Sequence, residues 1–116
     1  MRYLFILNDP PYGTERSYNG LRLAEKLMKT DESAEVTVFL MADAVGCAKT
    51  GQKTPDGFYN LERMLKPILR KGEVLLCGTC MDARGLAEEE LMEGARRSSM
   101  VELTDRTIAA DKVLVF

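Results

Sequence analysis

Two cysteines separated by two residues, Cys77 and Cys80, are the side chains best suited to chemistry. The first ends a short apolar run, residues 74–77, that predicts a buried strand, and the second follows on the loop that leaves this strand. A thiolate is a nucleophile and can carry a second sulfur atom as a persulfide. The chain has no histidine, so a Cys–His pair is excluded. Backbone N–H groups and neighbouring charges, such as Arg84, must therefore activate the thiols.

The spacing of the two thiols leaves several interpretations open. In one, Cys80 attacks a sulfur-loaded or oxidised Cys77 and resolves it as a disulfide. In another, Cys77 is a buried structural residue, since free cysteine is among the most buried residue types. Zinc is disfavoured because it takes four ligands and the chain has three cysteines and no histidine, so Cys47 and a carboxylate or a second subunit would be needed. Cys47 itself lies in a long loop and is interpreted as a packing residue.

Strand-like and helix-like runs alternate along the chain, and this pattern predicts an α/β fold with a mostly parallel sheet. We expect one Rossmann-like or flavodoxin-like three-layer domain over residues 1–116, with five strands in the order 2-1-3-4-5. Strands are predicted at residues 2–7, 36–41, 74–77 and 112–116, with a weaker edge strand near 95–99. Helices are predicted after Thr14, between Asn60 and Gly72, and over residues 86–93 and 100–110.

The loop after the first strand supplies the other half of the predicted pocket. In a sheet of order 2-1-3-4-5 the first and third strands are neighbours, so residues 8–14 would face residues 77–85 across a crevice. The predicted pocket residues are Asn8, Tyr12, Gly13, Asp82 and Arg84. The alternatives are a rigid proline turn for the loop and a surface arginine for Arg84. The loop lacks a G-x-G-x-x-G motif and a hydroxyl-rich phosphate loop, and we predict no cofactor and no metal.

Charge and hydropathy exclude two classes of partner. The net charge of −2 gives no basic footprint for nucleic acid, and no apolar run reaches the length that spans a bilayer. Met1 leads directly into the first predicted strand, so we expect no export signal and a cytoplasmic location. In that compartment the cysteines are expected to be reduced or reactive thiols.

The chain resembles the DsrE/DsrF/TusD-like sulfur-relay family, and within it the YchN-like branch. The segments that carry the resemblance are Asn8 with Pro11-Tyr12-Gly13, Leu21-Arg22-Leu23-Ala24, Phe39-Leu40-Met41 with Asp43-Ala44-Val45, Gly51-Gln52-Lys53, Tyr59-Asn60, Leu76-Cys77 with Thr79-Cys80, Arg84-Gly85, Val101-Glu102-Leu103, and Ala110-Asp111-Lys112-Val113-Leu114. The resemblance implies a Rossmann-like domain assembled into a trimer or hexamer. It also implies a cysteine after the third strand that carries sulfur as a persulfide. The spacing to Arg84-Gly85 places that role on Cys77, and Cys80 matches the YchN-like branch alone.

These observations lead to a hypothesis of function and to its alternatives. We expect a sulfur carrier or sulfurtransferase in which Cys77 forms the persulfide, Cys80 is the second thiol and Arg84 favours the thiolate. Sulfur-donor and sulfur-acceptor proteins would be its partners, and residues 42–59 of a neighbouring subunit would close the pocket. The main alternative is a non-catalytic oligomer that binds a small ligand or a partner and whose cysteines are structural or redox-sensing. A nucleotide or flavin binder is a weaker third hypothesis.

Overall fold

The structure, a computed structural model, describes residues 1–116 apart from the side-chain surroundings of residue 57. Within this part of the chain the strands are β1 (Arg2–Leu7), β2 (Glu35–Leu40), β3 (Glu73–Cys77), β4 (Arg96–Ser98) and β5 (Lys112–Val115). The α-helices are α1 (Arg16–Thr30), α2 (Leu61–Lys71), α3 (Gly78–Ala83) and α4 (Met100–Ala109). Short 3₁₀ turns cover Ala42–Ala48, Pro55–Gly57 and Glu88–Glu90. None of the described helices is both long and apolar enough to cross a membrane.

The strands form one parallel sheet in the order β4-β3-β2-β1-β5. The predicted class of fold, an α/β fold with a parallel five-stranded sheet between helices, is confirmed. The order differs from the expected 2-1-3-4-5 in one respect that matters for the site: β2 lies between β1 and β3. The predicted crevice between the ends of β1 and β3 is therefore not formed.

The connections explain this order. Helices α1 and α2 pack on the same face of the sheet, so the two crossovers advance the sheet in one direction and β3 pairs with β2 instead of β1. Helix α4 then crosses the opposite face and carries β5 to the free edge of β1. The backbone of β5 is fixed there, since the N–H of Asn8 donates to the carbonyl of Phe116 at 3.0 Å.

The alternation of side chains along the strands decides which face each residue joins. On one face, strand residues such as Phe5 and Leu76 pack with α1 and α2 in the larger core. On the other, Leu75 and Cys77 join a smaller cluster with Leu103 of α4. Cys77 therefore lies at the carboxyl end of β3, on the face that α4 covers.

Local sequence signals succeed where a side chain caps a helix and fail where tertiary contacts compete. Asn60 caps α2 by accepting the N–H of Arg63 at 3.0 Å, and Ser99 caps α4 by accepting that of Glu102 at 3.3 Å. The helix predicted over residues 86–93 is a 3₁₀ turn, because the backbone of Glu90 and of the residues after it bonds to residues 48 and 50.

Candidate functional site

The site is built where the chain passes directly from β3 into α3. Cys77 is both the last residue of the strand and the residue that precedes the helix, so the first free N–H groups of α3 point back at its side chain. Its Sγ accepts the backbone N–H of Cys80 at 3.4 Å and lies 3.2 Å from the Thr79 hydroxyl. The sequence predicted a loop here, and the short helix is what organises donors around the sulfur.

These donors separate the acidities of the two thiols. Burial of Cys77 opposes ionisation, but hydrogen bonds from the Cys80 thiol, the Thr79 hydroxyl and the two backbone N–H groups outweigh it. The pKa of Cys77 therefore lies below the ordinary value for cysteine. Burial and the hydrogen bond to Cys77 raise the pKa of Cys80. Cys77 is accordingly the more acidic thiol of the pair, and Cys80 is the less acidic one.

A recess of about 280 Å³ opens beside Cys77. Its lining residues are Phe39, Cys77, Gly78, Thr79, Arg97, Ser98, Ser99 and Met100. The volume greatly exceeds the roughly 30 Å³ that one water molecule occupies in the liquid, so an extra sulfur atom and an attacking group both fit. Phe39 and Met100 make the walls partly apolar, and Arg97 is the cation among the lining residues.

Arg97 was not predicted from the sequence. Its guanidinium pairs with Asp82 through two hydrogen bonds, from Nη1 to Oδ1 at 2.7 Å and from Nη2 to Oδ2 at 2.9 Å. The hydrogen bond to Asp82 is the main cause that raises the pKa of Arg97, and the nearby charges of Glu88 and Cys77 raise it further. The sequence contains one sign of a basic group here, the pair Arg96-Arg97 in the predicted edge strand. Only the pairing of β4 with β3 shows that Arg97 reaches the thiol site.

A second group of charges fixes the wall that carries Arg97. The carboxylate of Glu102 on α4 accepts two hydrogen bonds from Arg96 at 2.9 and 2.8 Å, and it also accepts the Ser98 hydroxyl. These bonds, with the Arg96 hydrogen bonds as the largest cause, lower the pKa of Glu102 to about 2. They tie β4 to the first turn of α4 and so hold one side of the recess in place.

Two further predicted residues lie around α3 near the thiols. Asp82 holds Arg97, as described above. Arg84 donates from Nε to the Asp43 carboxylate at 2.7 Å and from Nη1 to the Cys80 carbonyl at 3.1 Å. Its guanidinium therefore lies beside Cys80, whose pKa its charge lowers slightly, and is not bonded to the Cys77 sulfur.

The predicted residues of the first loop lie elsewhere. The Asn8 amide donates to the carbonyl of Phe116 at 3.3 Å, at the end of β5. The Tyr12 hydroxyl donates to the side chain of Gln52 and lies 3.5 Å from the N–H of Leu61. Tyr12 and Gly13 line a different recess. Because β2 separates β1 from β3, these residues do not face the thiols: Asn8 contacts the end of the chain beside β5, and Tyr12 contacts Gln52 and Leu61.

The third cysteine provides an internal reference. Cys47 is fully buried in the 3₁₀ turn after β2. Burial raises the pKa of its thiol to about 12 and outweighs the opposing hydrogen bonds with the Ser17 side chain and the Cys47 backbone. The thiol is therefore protonated and inaccessible in the folded protein. Among the described residues, no group of three or more cysteine and acidic side chains could hold a metal ion.

Fold and site together define an α/β protein whose parallel sheet presents a hydrogen-bonded thiol pair at the carboxyl end of its third strand. The family model of the DsrE/DsrF-like family matches residues 1–116. The chain therefore belongs to the DsrE/DsrF-like family, which is linked to sulfur relay.

Individual relatives agree with this assignment over whole chains. Protein YchN of Escherichia coli K12 is 39% identical over 116 residues, covering 99% of this chain and 98% of the relative. Protein MJ0989 of Methanocaldococcus jannaschii is 38% identical over 117 residues, covering both chains in full. The crystal structure of E. coli YchN superposes with a TM-score of 0.94 at 38% identity, covering 100% of this chain and 99% of that one. The structure of MTH1491 from Methanobacterium thermoautotrophicum, at 15% identity and a TM-score of 0.80, covers 99% and 98% of the two chains and shares the fold.

Proposed function

We propose that this protein is a persulfide carrier of an intracellular sulfur relay, with Cys77 as the carrier thiol. The observation that supports this most strongly is the Cys77 sulfur, which receives the N–H of Cys80 and contacts the Thr79 hydroxyl beside an open recess. A thiolate at the edge of a recess is what a sulfur acceptor requires. Membership of a family linked to sulfur relay gives independent support.

Loading is a thiol–persulfide exchange. The Cys77 thiolate attacks the outer sulfur of a donor persulfide, a new S–S bond forms on Cys77, and the donor's S–S bond breaks. The electron pair of the broken bond leaves with the donor sulfur as a thiolate, so the exchange needs no external oxidant or reductant. Discharge repeats the step with an acceptor nucleophile, which takes the outer sulfur and leaves the Cys77 thiolate.

Cys80 is placed to act in discharge. The Cys80 thiol gives its proton to the anionic outer sulfur of the Cys77 persulfide and attacks the inner sulfur, which expels the outer sulfur as hydrosulfide and leaves a Cys77–Cys80 disulfide. An external dithiol then reduces that disulfide and restores the two thiols. The raised pKa of Cys80 keeps this thiol protonated before loading, so release is expected to be slower than loading.

Assembly is the second part of the proposal. Five large apolar side chains on α4 and β5 are exposed: Met100, Val101, Ile108, Val113 and Val115. Exposed apolar side chains in such number are typical of an interface, which supports a homo-oligomer, either a trimer or a hexamer. Donor and acceptor proteins would then meet the Cys77 recess on the assembled particle. The three free thiols favour the cytoplasm, where thiols stay reduced.

The test is transfer of sulfur from a donor protein. The protein is incubated with a cysteine desulfurase and cysteine, and each cysteine-containing peptide is examined by mass spectrometry for one added sulfur atom. We expect the added sulfur on Cys77, its loss in Cys77→Ser, and its retention in Cys47→Ala. An unmodified Cys77 in wild-type protein under conditions that load a known acceptor would contradict the proposal.

A second candidate is a non-catalytic binding protein. It is favoured by an aromatic pair away from the thiols, in which the tilted rings of Tyr18 and Tyr59 pack with their centroids 4.2 Å apart. Tyr59 and the neighbouring Phe58 are largely exposed. This candidate predicts that Tyr59→Ala abolishes capture of a ligand or partner while Cys77→Ser has no effect. The opposite pattern would leave the sulfur carrier as the better account.

A further inference from the structure

The guanidinium of Arg97 has more N–H groups than Asp82 accepts. An arginine carries five N–H bonds, and Asp82 takes one from each terminal nitrogen. Among the described residues, the Nε–H has no protein acceptor, and each terminal nitrogen keeps one further N–H. Arg97 is also the cation among the residues that line the Cys77 recess. A charged donor group is therefore held in place and still free to bind an anion.

Gly78 is what allows the guanidinium to lie so close to the thiol. A Cβ built on residue 78 would lie 2.8 Å from both Cζ and Nε of Arg97 and 2.9 Å from Nη2. Such contacts are far shorter than carbon atoms tolerate, so any larger residue displaces the guanidinium. Residue 78 follows Cys77 directly, and the Arg97 charge accordingly interacts with the charge of the Cys77 thiolate.

The outer sulfur of a Cys77 persulfide needs a hydrogen-bond donor other than the N–H groups of α3. Those groups and the Thr79 hydroxyl are directed at Sγ, which becomes the inner sulfur once Cys77 is loaded. A persulfide is a stronger acid than a thiol, so its outer sulfur is anionic near neutral pH. That sulfur lies one S–S bond further into the recess, where it needs a separate cationic donor.

We propose that Arg97 binds the anionic outer sulfur of the Cys77 persulfide, with Asp82 and Gly78 as the residues that position its guanidinium. This assignment rests on the proposed persulfide function. Arg97 makes the loaded state anionic at lower pH. Arg84, bonded to Asp43 and to the Cys80 carbonyl, is not assigned this role.

Two variants separate the charge from its position. Arg97→Gln removes the charge, whereas Gly78→Ala keeps it and moves the guanidinium. Arg63→Gln removes an exposed charge on α2 and is the matched control. Circular dichroism and urea unfolding establish that each variant is folded.

The first readout uses the unloaded thiol. Cys77 is alkylated with anionic iodoacetate and with neutral iodoacetamide, and the ratio of the two rates is compared between proteins. We expect the ratio to fall by about threefold to tenfold in Arg97→Gln and in Gly78→Ala, because an exposed charge-assisted contact is worth a modest factor. Arg63→Gln should keep the wild-type ratio. An unchanged ratio in both recess variants would overturn the assignment of Arg97.

The second readout uses the persulfide, made chemically with inorganic polysulfide so that no protein donor is needed. The pH midpoint for alkylation of its outer sulfur is followed by mass spectrometry. We expect a shift to higher pH, by about half a unit to one unit, in Arg97→Gln and Gly78→Ala alone. Equal midpoints in all proteins would overturn the inference and leave the carrier function standing. Failure of the wild type to accept sulfur from a desulfurase would refute the function, while both readouts would still test Arg97.

Discussion

Cys77 and Cys47 are both withdrawn from solvent, with 7% and 0% of their surface exposed, yet their acidities move in opposite directions. Burial raises the pKa of Cys47 to about 12. Burial also opposes ionisation of Cys77, but hydrogen bonds from the groups of residues 79 and 80 outweigh it and lower its pKa. The comparison shows that hydrogen-bond donors, together with a smaller cost of burial, make Cys77 more acidic than Cys47.

The backbone explains why the donors outweigh burial at Cys77 and not at Cys47. At Cys77 the chain turns from strand into helix, which leaves N–H groups free beside the side chain. At Cys47 the surrounding groups serve the fold: the Gln52 amide donates to the Cys47 carbonyl at 2.8 Å and to that of Lys49 at 2.9 Å. The same residue type therefore has two different environments.

The largest expected difference is in alkylation rate at pH 7. A thiol with a pKa of about 12 is ionised in only about one molecule in 10⁵, whereas an ordinary thiol is ionised in a few per cent. We expect iodoacetamide to modify Cys77 at least about a thousandfold faster than Cys47 in the folded protein. Peptide mapping after timed quenching measures both rates. Comparable alkylation rates for Cys77 and Cys47 under native conditions would contradict the difference between their pKa values.

Substitution should reduce the free energy of unfolding more at Cys47 than at Cys77. Cys47→Ser places a hydroxyl in a fully buried apolar site and should lower the free energy of unfolding by about 1–3 kcal/mol. Cys77→Ser should cost less than about 1 kcal/mol, because a serine hydroxyl can accept the same N–H bonds. Urea unfolding curves provide the comparison, with Cys47→Ala as the control that keeps a small apolar group. A larger loss at position 77 would contradict the structural role of Cys47.

The two thiols should also differ in how they link stability to pH. The folded pKa of Cys47 is raised above its unfolded value, so its contribution is fully present below about pH 9 and is lost as pH rises towards 12. We expect wild-type protein to lose about 1 kcal/mol more than Cys47→Ala between pH 8 and pH 10. Cys77, with its lowered pKa, contributes in the opposite sense. Parallel stability profiles for the two proteins would show that Cys47 ionises freely when folded.

The smallest expected effect on the alkylation rate of Cys77 comes from removing one hydrogen-bond donor, the Thr79 hydroxyl. Thr79→Val removes the hydroxyl that lies 3.2 Å from the Cys77 sulfur and leaves the backbone N–H groups in place. We expect Cys77 to be alkylated about twofold to tenfold more slowly at pH 7, the range for one lost hydrogen bond. Thr104→Val, which removes a hydroxyl bonded to the carbonyl of Met100 on α4, is the matched control. An unchanged rate in Thr79→Val would mean that the N–H groups alone hold the thiolate.

Much of the fold could be predicted because local patterns and packing agree. The apolar runs of β1 and β3 and the caps at Asn60 and Ser99 appear where the sequence indicates them. Strand order could not be predicted by analogy, because it depends on whether β3 pairs with β2 or with β1, and that is decided by contacts distant in sequence. The position of Tyr12 relative to Cys77 follows from that order.

Part of the site was predictable because its residues lie close together in the sequence. Cys77, Cys80, Asp82 and Arg84 are neighbours in sequence, and the structure keeps them around α3. Arg97 reaches them only through the pairing of β4 with β3, a three-residue edge strand with little sequence signal. Contacts made by short edge strands are the ones that periodicity does not reveal.

The central claim is that Cys77 is the more acidic thiol of the pair and Cys80 is the less acidic one. The most direct test is the pH dependence of alkylation at each residue, measured between pH 5 and pH 11 by peptide mapping of wild-type protein. The account predicts a midpoint for Cys77 below that of an ordinary cysteine and a midpoint for Cys80 above it, as the directions of their pKa shifts require. A lower midpoint for Cys80 than for Cys77 would contradict the account and transfer the carrier role to the second thiol.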